Sequence, residues 1–443
     1  MRPNKSVTII TFTACMALPG LYVALTHMPM SAPIQTLFAG GAILAASFIL
    51  LWACEAAQAD VPQTLALAAV ALIAVLPEYA VDMYFTWQAG RNPGAGYEHY
   101  AIANMTGANR LIIGVAWTVV VGIFWLKTRR AVILDSERQL EIRFLAAATV
   151  YAMLIPIKGS LAWYDAIVFM GLYAWYITLA SRRPHTDFEV EGPATWIVSL
   201  PTGRRRAMFS GMFVFAALVI LANAERFSEG LIGTGRAFHI DEFLLVQWLA
   251  PIASEAPEFV VAIMFALRGH ASVALGSLLS AKLNQWTLLV GMIPAVYALA
   301  SRHIVPMPMD VLQNHEVMLT AAQSLLAVVM LAAMRLSGPQ ALLLFVLFLG
   351  QLVCPVLVDR FYGGEFMGLK SGQLHPIFSM LYLAAAAALL VDRPERLKML
   401  WILHHHAPDG ELLTHDGEAD DHLAAENLLC DDAVLSSESA GND

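Results

Sequence analysis

The chain has 443 residues, of which 58% are hydrophobic and 14% charged, with a mean hydropathy of +0.63. Soluble globular proteins carry nearer to about a quarter charged residues, so this composition excludes one and points to a chain that lives in lipid. The formal charge of −9 belongs to a tail: residues 409–443 hold eleven acidic side chains and no Lys or Arg, leaving 26 basic against 24 acidic residues elsewhere.

In chain order, apolar segments of spanning length fall at 7–26, 35–59, 62–88, 100–126, 141–157, 161–180, 207–229, 240–267, 271–300, 313–334, 339–357 and 374–391. The first could instead be a cleaved signal, since Arg2 and Lys5 precede it, Pro19-Gly20 breaks it and Ala14-Cys15 is lipobox-like. The four cysteines, Cys15, Cys54, Cys354 and Cys430, share neither a pairing nor a metal spacing. With the N-terminus inside, sixteen Lys and Arg fall in inner loops and ends against six in outer ones. The excess predicts a multi-pass protein of the cell membrane with both termini cytoplasmic. The inner loop 181–206, with its SRR and GRRR runs, divides ten spans into halves of five, and one extra helix flanks each end. An odd number of spans per half inverts the second half in the membrane. The expected organisation is an extra helix in 1–30, a first repeat over 31–181, a basic loop at 182–206, a second repeat over 207–358 and an extra helix with a basic flank at 359–402. An acidic tail, too poor in apolar residues to fold alone, covers 403–443.

Residues 249–291 are apolar enough for lipid yet contain Glu255, Glu258 and Lys282, with Pro257 directly before the second Glu. A charge at mid-membrane costs roughly 2.5–3.5 kcal/mol on insertion scales, and a Pro inside a span frees a backbone carbonyl. Both together mark an ion site. A weaker copy lies at 73–114, with Pro77-Glu78 in the corresponding place, and such matched segments in two halves point to a transporter with its site at the midplane. Each Pro is expected to kink its helix before the Glu and to expose carbonyl oxygens. Asp82 follows Glu78 by one turn, on the same face, and Arg110 and Lys282 stand in the partner helices. Four carboxylates and two fixed cations leave a formal −2, suited to one divalent cation or two protons. Asn104, Asn109, Ser277, Asn284 and Gln285 could line a polar pathway or pack helices. The structural reading of Arg110 and Lys282, simple neutralisation of the carboxylates, stays open beside the functional one.

Around Pro257-Glu258 the sequence resembles the second alpha repeat of the cation/calcium exchanger superfamily. Its pattern G-T-S-x-P-E, then R-G-H, then L-G-N-x-x-G-S-N-x-x-N, aligns without a gap on Ala253-Ser254-Glu255-Ala256-Pro257-Glu258, Arg268-Gly269-His270 and Leu275-Gly276-Ser277. The first repeat aligns through Pro77-Glu78 and Asn104-Met105-Thr106-Gly107-Ala108-Asn109, with a longer loop around 91–98. The resemblance implies an all-α membrane fold of two inverted five-helix repeats, exchanging cations by alternating access. It also implies that Glu78 and Glu258 ligate the transported cation, with Ser254 as a supporting oxygen. Here the chain departs from the family: Ala74, Ala108 and Ala281 replace hydroxyl residues, Ile112 and Gln285 replace the last amide or acid, and Lys282 stands where an Asn belongs.

Buried Lys changes its protonation readily and Arg does not. Lys282 beside Glu258 is therefore expected to substitute for a monovalent cation, which favours coupling to protons over coupling to sodium. Asp82 and Glu255 are expected as supporting ligands or relays. The expected function is a secondary-active antiporter, not an enzyme, moving calcium, sodium or protons between lipid-bounded compartments, with no cofactor and no nucleic-acid partner. Calcium prefers six to eight oxygens, more than the remaining residues readily supply, so a sodium/proton antiporter is the alternative. A non-transporting sensor, with the acidic tail contacting a cytoplasmic partner, is another. No G-x-x-x-x-G-K-[ST] loop is present for ATP-driven pumping.

Overall fold

The computed structural model describes residues 3–60, 75–182, 192–366 and 369–401. The first part of the expected third span, part of the basic loop and the acidic tail lie outside the described residues. Among the described residues twelve long helices run in order: α1 Pro3–Thr26, α2 Ala32–Ala57, α3 Leu76–Arg91, α4 Tyr97–Thr128, α5 Gln139–Ala152, α6 Trp163–Ala180, α7 Thr202–Phe238, α8 Glu242–Leu267, α9 Ala271–Ser301, α10 Val311–Leu331, α11 Gly338–Tyr362 and α12 Leu374–Asp392. Each expected span coincides with a helix over its described residues; for the third, only 75–88 are described. Ten helices among the described residues are long and apolar enough to cross a membrane; α3, described for 16 residues, and α6, with 18, are not among them. The fold is an all-α membrane protein.

Two small antiparallel pairings show how the halves invert. β1, Val132–Ile133, pairs with β4, Arg335–Leu336, and β2, Ser160–Leu161, pairs with β3, Met307–Pro308. The first pair ties the loop before α5 to the loop after α10; the second ties the loop after α5 to the loop before α10. Equivalent helices therefore begin at opposite faces. The same symmetry appears in local geometry, since Arg129 and Arg302 take the left-handed conformation (φ 58° and 59°) just after α4 and α9.

Inside α4 and α9 lies one π-helical turn each, Ile112–Trp117 and Gln285–Leu289, beginning at equivalent positions of the two repeats. Such turns are rare and concentrate at functional sites, because they break the i to i+4 ladder. Threonine hydroxyls take up neighbouring carbonyls: Thr118 donates to the Gly114 oxygen at 2.8 Å and Thr287 to that of Leu283. Trp117, the last residue of the first turn, and Trp286, the second of the other, are both fully buried.

Small residues bring the long helices together. On α2 a Cβ at Gly40 would meet the Phe227 ring of α7 at 2.7 Å, and one at Gly230 of α7 would meet the Thr36 hydroxyl at 2.6 Å. α7 has 37 residues, a length of about 55 Å, and so runs well past a hydrocarbon core of about 30 Å. At its N-terminal end Arg205 grips Asp60 with two donors, Nε to Oδ2 at 2.7 Å and Nη2 to Oδ1 at 2.5 Å.

Candidate cation site

α8 contains two prolines, Pro251 and Pro257, within one continuous helix. Pro251 removes the N–H that would have bonded the Gln247 carbonyl. That carbonyl faces Gly107 of α4, where a Cβ would fall 1.8 Å from the oxygen, so the two backbones touch and only glycine fits. The Ser254 hydroxyl lies 3.3 Å from the Ala250 and Pro251 oxygens, on the same stretch. At the other Pro-Glu copy, α3 as described begins at Leu76, so Pro77 occupies its first described turn, where a missing N–H costs nothing; the residues that would show the expected kink lie outside the described set.

The carboxylates of the two repeats meet through one amide. Gln285 Nε2 donates to Glu78 Oε2 at 2.9 Å and to Glu255 Oε1 at 3.0 Å. Gln285 is also the first residue of the second π turn, and the altered winding there accompanies an amide turned toward both α3 and α8. Glu78, Asp82 and Glu255 are buried, while Glu258, nearly one turn further along α8, is half-buried. Glu78 Oε1 and Glu255 Oε2 make no hydrogen bond among the described residues, nor do the Asp82 oxygens, whose polar neighbour is Asn104. Buried oxygens of this kind call for an explanation, and carboxylates left free to accept suit a cation. Three or more acidic, His or Cys side chains do not yet converge in metal-holding geometry among the described residues; the Gln285 amide sits between Glu78 and Glu255.

Lys282 takes partners other than the one expected. Its ammonium donates to Asn109 Oδ1 at 2.7 Å and to the Asn109 backbone oxygen at 3.1 Å, and stands 4.4 Å from the centre of the Trp286 ring. The expected direct pairing with Glu258 is absent among the described residues: Lys282 is fully buried against an amide, a carbonyl and an aromatic face. Arg110 is also placed differently. It hydrogen-bonds Glu316 of α10 and lies 5.2 Å from the Trp248 ring, so its charge is cancelled by a carboxylate that sequence reasoning passed over.

Of the remaining polar positions, Asn284 donates to Tyr173 at 3.2 Å and accepts from Tyr79, the neighbour of Glu78. Asn104 and Asn109 are buried, whereas Ser277 is exposed on α9, on a different face from Lys282. Glu316, Gln247, Tyr79, Tyr173 and Trp286 were missed. Glu316 lies in the second turn of its helix, where charges ordinarily snorkel to the interface, and nothing in the spacing marks it as buried.

The family described as "Sodium/calcium exchanger protein" matches the sequence over residues 31–182 and 208–357. A solved structure described as the crystal structure of H+/Ca2+ exchanger CAX is 42% identical, with the match covering 90% of this chain and 96% of that one at a TM-score of 0.82. The structure of native YfkE shares the fold at 15% identity, covering 77% of this chain and 98% of that one, with a TM-score of 0.54. A search of curated proteins finds no match. The matched segments carry both Pro-Glu copies and both π turns, and the chain belongs to the sodium/calcium exchanger protein family.

Proposed function

We propose that this member of the cation/calcium exchanger superfamily exchanges calcium for protons across the membrane. The observation that carries the reading is the meeting of Glu78 and Glu255, from inverted repeats, on the single amide of Gln285. Two buried carboxylates at this separation repel each other and are poorly solvated, so a divalent cation or protons must accompany them. Each state of the site is then neutralised by one kind of cargo at a time, and that mutual exclusion is what makes an exchanger. Glu258, half-buried beside them, and Asp82 complete the carboxylate set, with Ser254 and the carbonyls near Pro251 and Pro257 as neutral oxygens. The relative at 42% identity is described as an H+/Ca2+ exchanger, which supports calcium as cargo and protons as the coupling ion.

Lys282 supports protons over sodium. An ammonium held by a carbonyl oxygen, an amide oxygen and an aromatic face fills the kind of oxygen-rich pocket that a monovalent cation would use. The orientation that fits the Lys and Arg distribution has both termini cytoplasmic, which puts β1 and β4 on the inner side. The test is calcium flux into proteoliposomes under an imposed proton or sodium gradient. Proton-driven uptake lost in Glu78→Gln and Glu258→Gln is the expected result; uptake that survives in both variants, or that only sodium drives, overturns the assignment.

A further inference from the structure

Glu316 is 1% exposed and lies outside the central carboxylate group. Its Oε2 accepts from Arg110 and, at 2.9 Å, from Gln247 Nε2, while His375 Nδ1 stands 3.3 Å from Oε1. Arg110 directly follows Asn109, the residue whose two oxygens hold Lys282. The arrangement has a counterpart. Glu141 on α5 and Glu316 on α10 each stand six residues after the aspartate that opens the segment, Asp135 and Asp310. Glu141 Oε1 accepts from Arg138 and from Ser280 of α9, both at 2.9 Å, and the Arg138 guanidinium lies against Gly276 of α9. Because α5 and α10 begin at opposite faces, each face has one buried carboxylate that reaches the π-turned helix of the other repeat and pairs with an arginine, Arg110 on that helix for Glu316 and Arg138 of its own segment for Glu141.

Arginine keeps its charge in any protein environment, and charges act strongly across a weakly polarisable interior. Uncancelled, Arg110 would add one positive charge directly beside the Asn109–Lys282 contact and repel an entering divalent ion. Paired with Glu316, it counts as neutral, and Lys282 alone opposes Glu78, Asp82, Glu255 and Glu258. We infer that Glu316 is a specificity-determining residue of the exchanger, acting through Arg110 to hold the central site negative enough for a divalent cation. The inference rests on the reading of the central carboxylates as a calcium site.

The experiment measures the calcium KM for uptake, together with the calcium-free melting temperature, in the native chain, Glu316→Gln, Arg110→Gln and the double variant. Either single change breaks a buried ion pair and should lower the melting temperature, but the two should move KM in opposite directions. Glu316→Gln leaves a bare guanidinium and should raise KM roughly tenfold or more; Arg110→Gln leaves a bare carboxylate and should lower it, by about threefold or more. The double variant removes both charges, is expected to fold even where a single variant does not, and should return KM to within about twofold of native. If both single changes raise KM together, or neither shifts it while stability falls, the pair is structural and the inference is wrong. If Glu316→Gln does not fold, a Km raised by Arg110→Gln or by the double variant overturns the inference just as well. A native chain that takes up no calcium overturns the underlying functional reading, and this inference with it, which separates that failure from a wrong sign in the variants.

Discussion

Glu78 of the first repeat and Glu255 of the second are joined by one shared donor, the Gln285 amide, at 2.9 and 3.0 Å. Gln285→Leu preserves the approximate volume and removes both bonds. Hydrogen bonds to charged groups contribute about 1.5–3 kcal/mol, so the cation-free protein should melt several degrees lower than native. Calcium should recover much of that loss by occupying the same oxygens. Melting curves with and without calcium check this; an equal drop in both conditions would mean that the amide and the cation do not share the carboxylates.

The contact of Lys282 with Asn109 predicts what sodium does. Native uptake of calcium should be insensitive to sodium, while Lys282→Met frees the Asn109 oxygens and the Trp286 face. Sodium should then inhibit calcium uptake competitively, raising the apparent calcium KM in proportion to its concentration, by about tenfold where sodium stands at about nine times its inhibition constant, a change of about 1.4 kcal/mol. Flux assays over a sodium titration decide it, and sodium insensitivity in the variant would remove Lys282 as a monovalent surrogate.

Gly107 and Gly122 lie on the same helix and separate packing from propensity. A Cβ at 107 would fall 1.8 Å from the Gln247 oxygen, whereas one at 122 would meet nothing within 4 Å. Gly107→Ala must therefore push α4 off α8, at about 3 kcal/mol or more, with transport lost. Gly122→Ala should be neutral or gain up to about 1 kcal/mol from helix propensity. Melting temperature and uptake, measured on both variants, test the close approach directly.

A further pH dependence arises outside the membrane spans. The hydrogen bonds from Arg205, aided by the guanidinium charges of Arg205 and Arg206, hold the Asp60 carboxyl below its usual value against a smaller opposing effect of burial. A depressed acid stabilises the fold above its unfolded value, about 3.9, and that contribution disappears as pH falls through the lower folded value. Native protein should therefore lose a component of stability on acidification below about pH 4 that Asp60→Asn lacks. Parallel acid melting profiles of the two proteins would contradict the assignment.

Much of the architecture is local in origin and was legible in the sequence. Length and apolarity predicted the long helices among the described residues, the odd number of spans per half predicted inversion, and the two Pro-Glu copies marked which segments carry the carboxylates, because spanning length, Pro and buried charge are properties of short stretches. The partners of those charges were not legible. Lys282 was expected on Glu258 and holds Asn109; Arg110 was expected among the central carboxylates and holds Glu316; Gln285 was read as a pathway residue and bridges both repeats. Each pairing crosses between helices and depends on how the helix is rotated about its axis. A single π turn inserts one residue and rotates everything beyond it by about 100°, so spacing counted along an ideal helix no longer says which face a side chain presents. The sequence by itself determined the helices and their charges, and the rotations and crossings of the packed bundle decided which charge meets which.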